Sequence, residues 1–193
     1  MNLPGVYDTF NKLWNDYQTV WIISDLHFNE EDLKAGFPNR PSDDELVKRI
    51  NAKVGRRDVL LILGDVGDVE YVKQLRGYKV LIAGNHDAGM SNYSDLFNEV
   101  YEGALIIGEK LILSHEPVNI PWLFNLHGHI HDFKHKNDNH HFNVCADVVG
   151  YFPINLNQFL KRGPTSKVET IHRLTIDKAT ARKAKRGGKK IGF

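Results

Sequence analysis

Three short apolar runs in the first half of the chain each stop at a small residue followed by a group able to bind a cation. Val20 to Ile23 runs into Ser24-Asp25-Leu26-His27, Asp58 to Leu63 ends at Gly64-Asp65, and Tyr78 to Ala83 ends at Gly84-Asn85-His86-Asp87. Apolar runs of this length, separated by helical patterns, read as buried strands of βα units, whose carboxyl ends lie side by side in a parallel sheet and gather ligands there. The intervening helices are legible. One spans about Asp43 to Val54, opened by Ser42 with Glu45 three residues on as a capping box, and carries Leu46, Ile50 and Val54 on one face. A shorter one spans Val69 to Arg76. Ahead of the first strand, Phe10, Leu13, Trp14 and Tyr17 have the i, i+3, i+4, i+7 spacing of an amphipathic helix over Tyr7 to Tyr17.

The second half changes character but keeps the theme. Tyr101 to Leu113 carries Gly108-Glu109-Lys110 between two apolar arms and reads as a hairpin whose second arm ends at Ser114-His115. Leu123 to Leu126 leads into His127-Gly128-His129-Ile130-His131, and Phe142 to Val149 resumes β character. Seven of the ten histidines fall between His115 and His141, a clustering that points to metal binding or proton transfer. Asp25-x-His27 and His129-x-His131 each place two donors on one side of an extended chain, so each pair can face one cation. Ser166 to about Lys185 is read as a final helix, with Ser166 and Glu169 as a capping box and Val168, Ile171, His172 and Thr175 on one side.

Composition narrows the class. With 193 residues, 41% hydrophobic and 25% charged, the chain fits one globular domain with an appendage, taken as residues 1–163 and 164–193. No apolar run approaches the ~20 residues that cross a bilayer. Residues 1–5 lack the basic and apolar regions of a secretory signal, and the single cysteine, Cys145, cannot form an internal disulfide, so a cytoplasmic location is expected. The net charge of +1 conceals a tail, 178–193, with seven basic residues and no acid, leaving 18 basic against 24 acidic residues before it. An acidic body is a poor surface for a nucleic-acid backbone, so dedicated nucleic-acid binding is not expected. The tail is either a solvated end or a weak attractor of polyanions.

The five blocks Asp25-x-His27, Gly64-Asp65, Gly84-Asn85-His86-Asp87, His115 and Gly128-His129-x-His131, in that order, resemble the signature of the calcineurin-like metallophosphoesterases. Ser24 to Phe28, Asn39-Arg40-Pro41, Leu126 to His131, and Asn143 to Asp147 with Pro153 look like the short, uncapped bacterial and phage-type members; the likeness covers roughly residues 19–160. It implies an α/β fold of two stacked mixed β-sheets flanked by helices, a four-layer αββα sandwich. It further implies one metal held by Asp25, His27, Asp65 and His131 and a second by Asp65, Asn85, His115 and His129, with Asp65 bridging. Mixed imidazole, carboxylate and amide ligation suits Mn, Fe, Zn, Co or Ni better than Ca or Mg, and Mn is favoured. Two such ions supply a bridging hydroxide as nucleophile for hydrolysis of a phosphate ester.

By the same resemblance His86 is the proton donor to the leaving oxygen, oriented by Asp87, with a plain phosphate contact as the alternative. Asn85 and Arg40 are candidates for the substrate phosphate; an ordinary surface Arg before Pro41 is the other reading of Arg40. His127, His135, His140 and His141 are read as supporting or loop residues, and Cys145 as a small buried side chain. Only 20 positions separate Asp65 from Asn85 and 30 separate Asn85 from His115, so no sizeable cap fits and the site should be open. The substrate expected is a small or nucleotide phosphate ester. The rival readings are a nuclease and a non-enzymatic scaffold on the same fold, the latter disfavoured because His86 and every implied ligand remain.

Overall fold

The structure is a computed structural model in which residues 19–87, 93, 95–132, 137–169 and 175–182 are described; the helix expected over Tyr7 to Tyr17 lies outside them. Along the chain the elements are β1 (Val20–Ile23), α1 (Glu31–Gly36), α2 (Asp43–Lys53), β2 (Val59–Ile62), α3 (Val69–Val72), β3 (Tyr78–Ile82), β4 (Glu99–Tyr101), β5 (Leu105–Ile107), β6 (Leu111–Leu113), β7 (Phe124–His127), β8 (His141–Asn143), β9 (Ile154–Asn155) and α4 (Leu156–Lys161). They build two mixed sheets, one of order β4-β3-β2-β1-β9 and one of order β5-β6-β7-β8, with flanking helices. In the first sheet β1 to β4 are parallel and β9 is antiparallel to β1. In the second, β5 and β6 form the expected antiparallel hairpin and β6, β7 and β8 run parallel.

The central strands β1 and β2, and β3 from Val80, read as continuous apolar runs because both faces of the sheet are covered there. Val20, Ile22, Val59, Leu61, Leu63, Val80 and Ile82 meet Leu105, Leu111, Leu113, Phe124 and Leu126 of the second sheet. The alternate residues, Ile23, Leu60, Ile62 and Leu81, meet Leu46, Val47, Ile50 and Val54 of the α2 region. Truncating one of these fully buried side chains, such as Ile50→Ala, costs about 2–5 kcal/mol. The start of α2 is as expected in one half only: Ser42 accepts from the Glu45 amide, 3.3 Å, while the Glu45 carboxylate turns to Arg49 Nε at 3.0 Å.

Three elements differ from the sequence expectation. The helix from Val69 stops at Val72, because Asn51 of α2 donates to Gln74 O and accepts from Arg76 N, taking backbone groups that a further turn would use. The β character after Phe142 ends at Asn143, whose side chain accepts from Cys145 N and turns the backbone, leaving a single bridge between Ser24 and Cys145. The helix over Ser166 to Lys185 does not start at Ser166. Residues Pro164–Lys167 form a 3-10 turn after Gly163 at φ 75°, Val168 is buried in the core between the sheets, and among the described residues beyond it 175–182 are helical and exposed.

Candidate metal centre

The site is made where the tips of the first sheet meet those of the second. Beyond β1 and β2 the ladder continues: Asp25 N, His27 N and Phe28 N donate to the carbonyls of Gly64, Asp65 and Val66, each at 3.0 Å. On its other edge the same tip donates from Ser24 N to Val144 O, 3.1 Å, and accepts from Ala146 N, 2.9 Å. Asp25, His27, Asp65 and His129 all hold positive φ, 58°, 42°, 53° and 66°. Such conformations cost about 1–3 kcal/mol each for non-glycine residues and persist only where the surroundings fix them. The glycines leave no room for a side chain: a Cβ at Gly84 would strike Asp65 and His115 Nδ1, and one at Gly128 would strike Ser24 and Asp25 Oδ2.

Two groups of donors result, Asp25, His27 and His131, and Asp65, His115 and His129. Within the first, Asp25 Oδ1 lies 3.9 Å from His27 Nε2 and 3.5 Å from His131 Nε2. Within the second, Asp65 Oδ2 lies 3.2 Å from His115 Nε2, and Asn85 Oδ1 lies 2.8 Å from His115 Nε2 and 3.0 Å from His129 Nδ1. The same Asp65 Oδ2 is 3.6 Å from His27 Nε2, so it stands between the groups. His27 Nε2 is buried with no hydrogen-bond partner, which is rare for a polar atom and fits a donor set arranged for a cation. Carboxylates, imidazoles and one amide suit a divalent transition metal.

Residues 18–183 match the family model described as calcineurin-like phosphoesterase. The chain belongs to the calcineurin-like phosphoesterases. Among solved structures, a protein of unknown function from Aquifex aeolicus shares the fold with a TM-score of 0.62, at 23% identity over 74% of this chain and 98% of its own. A nuclease from Pseudomonas putida is 23% identical over 58% of this chain and 61% of its own, with a TM-score of 0.45, and a phosphoesterase from E. coli is 19% identical over 72% and 82%, with a TM-score of 0.41. No curated protein matches the chain.

All seven ligands read from the sequence of this calcineurin-like phosphoesterase are brought together: Asp25, His27, Asp65, Asn85, His115, His129 and His131. His86 is exposed at the rim, its amide donating to Asp65 Oδ1 at 2.9 Å and its ring 5.4 Å from that of His27. Two residues take other places than expected. Asp87 does not turn to the His86 imidazole. Its Oδ2 accepts from Asp65 N and Gly84 N and its Oδ1 from Val66 N and Tyr93 OH, which fills the four acceptor positions of a carboxylate and ties the second tip to the third. Arg40 does not face the substrate side, because its buried guanidinium is held by Asp147 and by the carbonyls of Asp25 and Leu26.

Sequence reading missed the groups behind the imidazoles. His27 Nδ1 donates to Glu30 at 2.7 Å, His131 Nδ1 to Asp147 at 2.7 Å and His115 Nδ1 to Leu63 O at 2.7 Å. Glu30 could have been found from its i+3 spacing to His27; Asp147, far along the chain, could not. These contacts shape the titration. Burial opposes charge on His131, but the hydrogen bonds to Asp147 and Asp25 overcome it and raise its pKa to about 12. Burial likewise opposes, and the Asp65 and Leu63 contacts outweigh, at His115, which is also raised. Burial would raise the Asp65 carboxyl, yet the bonds from His115 and from the His86 amide hold it below its ordinary value. His127 is pushed down by burial and Cys145 up to about 12, both consistent with supporting roles.

Proposed function

We propose that the protein is a dinuclear-metal hydrolase of phosphate esters, a phosphodiesterase or phosphatase acting on small or nucleotide substrates, with Mn as the favoured metal. The observation that carries this is the position of Asp65, within 3.6 Å of an imidazole of each donor group. Asp25, His27, Asp65 and His131 would hold one ion and Asp65, Asn85, His115 and His129 the other. When bound, the pair supplies the activation of the attacking water and the positive charge that takes the phosphoryl oxygens. His86 stands at the rim to give a proton to the leaving oxygen, and its amide bond to Asp65 fixes its distance from the centre. Asn85, exposed beside it, lies where it can also touch the phosphate.

The open face next to Asn85 and His115 is a cavity of about 300 Å³ that includes Glu102 and Glu116. Those carboxylates, with the acidic body, favour a small ester over a long polyanion, so the nuclease reading ranks second. No helix among the described residues is long and apolar enough to cross a membrane. A cytoplasmic place of work fits the unpaired, buried Cys145. The test is a panel of phosphomonoesters, linear diesters and cyclic nucleotides with Mn, Ni, Co, Zn or Mg added to metal-stripped protein. Hydrolysis should require the added ion and be lost in Asp65→Asn along with metal binding; hydrolysis equally fast in chelator would overturn the proposal.

A further inference from the structure

Arg40 and Asp147, 107 positions apart, meet beneath the Asp25, His27 and His131 group, their side chains 1% and 0% exposed. Arg40 Nη1 donates to both carboxylate oxygens of Asp147, at 2.8 and 2.7 Å. Its Nη2 donates to the carbonyl of Asp25 at 2.9 Å and to that of Leu26. On its other side Asp147 Oδ2 accepts from His131 Nδ1 at 2.7 Å and Oδ1 from Tyr151 OH at 2.8 Å. A buried ion pair is weak evidence for stability, since desolvation of both charges offsets their attraction. What this pair does achieve is direction. An imidazole that donates Nδ1–H to a carboxylate presents its Nε2 lone pair the other way, and His131 Nε2 does face Asp25 Oδ1, 3.5 Å off. Asp147 is held at both of its oxygens by Arg40 Nη1 and on its far side by His131 and Tyr151, and the same guanidinium, through Nη2, ties down the carbonyl of Asp25, which stands at φ 58°.

We infer that Arg40 and Asp147 are positioning residues for the Asp25, His27 and His131 site: together they aim His131 Nε2 and the Asp25 carboxylate at one cation. This rests on the metal reading above. It also accounts for the third group of donors, His131, Cys145 and Asp147. That group is no ion site, because the Arg40 guanidinium already fills the place of a cation beside Asp147. Lysine would not serve in place of Arg40, since a single ammonium cannot span two carboxylate oxygens and two carbonyls in one plane.

The experiment is a Mn titration of the metal-stripped full chain, read by bound ion count and dissociation constants, with the Co absorption spectrum as a second readout. Wild type should bind two ions. Asp147→Asn, which keeps shape and removes the charge, should weaken one site by about 10–100-fold and leave the other within about threefold. In an Asn85→Ala background, where the second site is already impaired, Asp147→Asn should remove the remaining tight ion and alter its Co spectrum. Arg40→Lys should behave as Asp147→Asn. If either variant fails to fold, Tyr151→Phe removes a single hydrogen bond to Asp147 and should weaken the same site by roughly 2–10-fold. Two unchanged ions in Asp147→Asn or Tyr151→Phe, or equal losses at both sites, would overturn the inference alone. A wild type that binds no ion would overturn the proposed function and this inference with it.

Discussion

Asp87→Asn separates two roles that adjacency in sequence cannot. In the structure the carboxylate accepts from three backbone amides, Asp65 N at 2.9 Å, Val66 N at 2.9 Å and Gly84 N at 2.7 Å, with Tyr93 OH more distant at 3.4 Å. The amide side chain of the variant has one accepting oxygen. Placed where Oδ2 is now, it keeps Asp65 and Gly84 and turns its NH2 toward Val66 N–H; Tyr93 can rotate its hydroxyl to accept. One amide at a fully buried residue then loses its partner and meets another donor, while the two retained bonds lose their charge. A hydrogen bond to a charged group is worth about 1.5–3 kcal/mol and an orphaned buried donor costs about 1–3 kcal/mol, so the loss should be about 2–4 kcal/mol. For a chain of this size that is a fall in melting temperature of roughly 4–16 °C. Metal affinity should fall as well, because the Asp65 tip is what the carboxylate holds. Scanning calorimetry and a Mn titration read both, and a leaving-group series of aryl and alkyl esters reads the rest. If the melting temperature is unchanged and the variant instead becomes selectively poor on esters with poor leaving groups, Asp87 orients His86 after all and the clamp reading fails.

His86→Asn should cost about 10²–10⁴ in rate on alkyl or nucleoside esters and far less on a nitrophenyl ester, with metal content unchanged; equal losses on both would show a phosphate contact instead of a proton donor. Metal uptake should release protons and strengthen as pH rises through neutrality, because the pKa of His131 is raised to about 12, that of His115 is shifted upward as well, and an imidazole must shed its Nε2 proton to ligate. Calorimetric enthalpies that do not vary with the ionisation enthalpy of the buffer would contradict this. For the metal-free protein the sign is opposite. The folded-state pKa of His131 lies above its ordinary 6.5, so its stabilisation is complete below about pH 6.5 and is lost as pH rises toward about 12. The metal-free melting temperature should therefore fall between pH 7 and pH 9, and a rise would refute the assignment.

Much of the centre was legible because each tip is local: an apolar strand and its donor sit within a few residues, as in Ile23 to His27 or Leu63 to Asp65. Contacts across the chain were not legible. Asp87 serves amides 21 and 22 positions earlier, and Arg40 reaches 107 positions forward, so neither partner leaves a mark in its neighbourhood. The family resemblance pairs Asp87 with His86, whereas the carboxylate accepts from the amides of Asp65, Val66 and Gly84. A local pattern misled at Ser166 and Glu169, where the spacing of a capping box is present but the burial of Val168 holds the backbone out of helix. Burial of both faces of β1 and β2, by contrast, follows directly from their unbroken apolar runs.

The same contacts that build the centre also join the sheets. Ser24 to Phe28 is bonded on one edge to Gly64, Asp65 and Val66 and on the other to Val144 and Ala146, and His129 N donates to both oxygens of Asp25 at 3.1 and 3.0 Å. The segment that carries Asp25 and His27 at positive φ is therefore held from two sides, which is how that strain can persist. The charges do not balance in the same way. Asp25, Asp65 and Asp147 are buried within one region and Glu30 and Asp87 stand beside it, set against the buried Arg40 guanidinium and the imidazoles of His131 and His115, whose pKa values are raised. Burying carboxylates without partners is costly, and amides and imidazoles offset only part of that cost. A pair of dications between Asp25 and Asp65 would remove most of the remaining imbalance. If the proposed ions bind there, metal binding and stability should be linked in this fold through the tips themselves, because the groups proposed to hold the ions sit on the tips that join the two sheets.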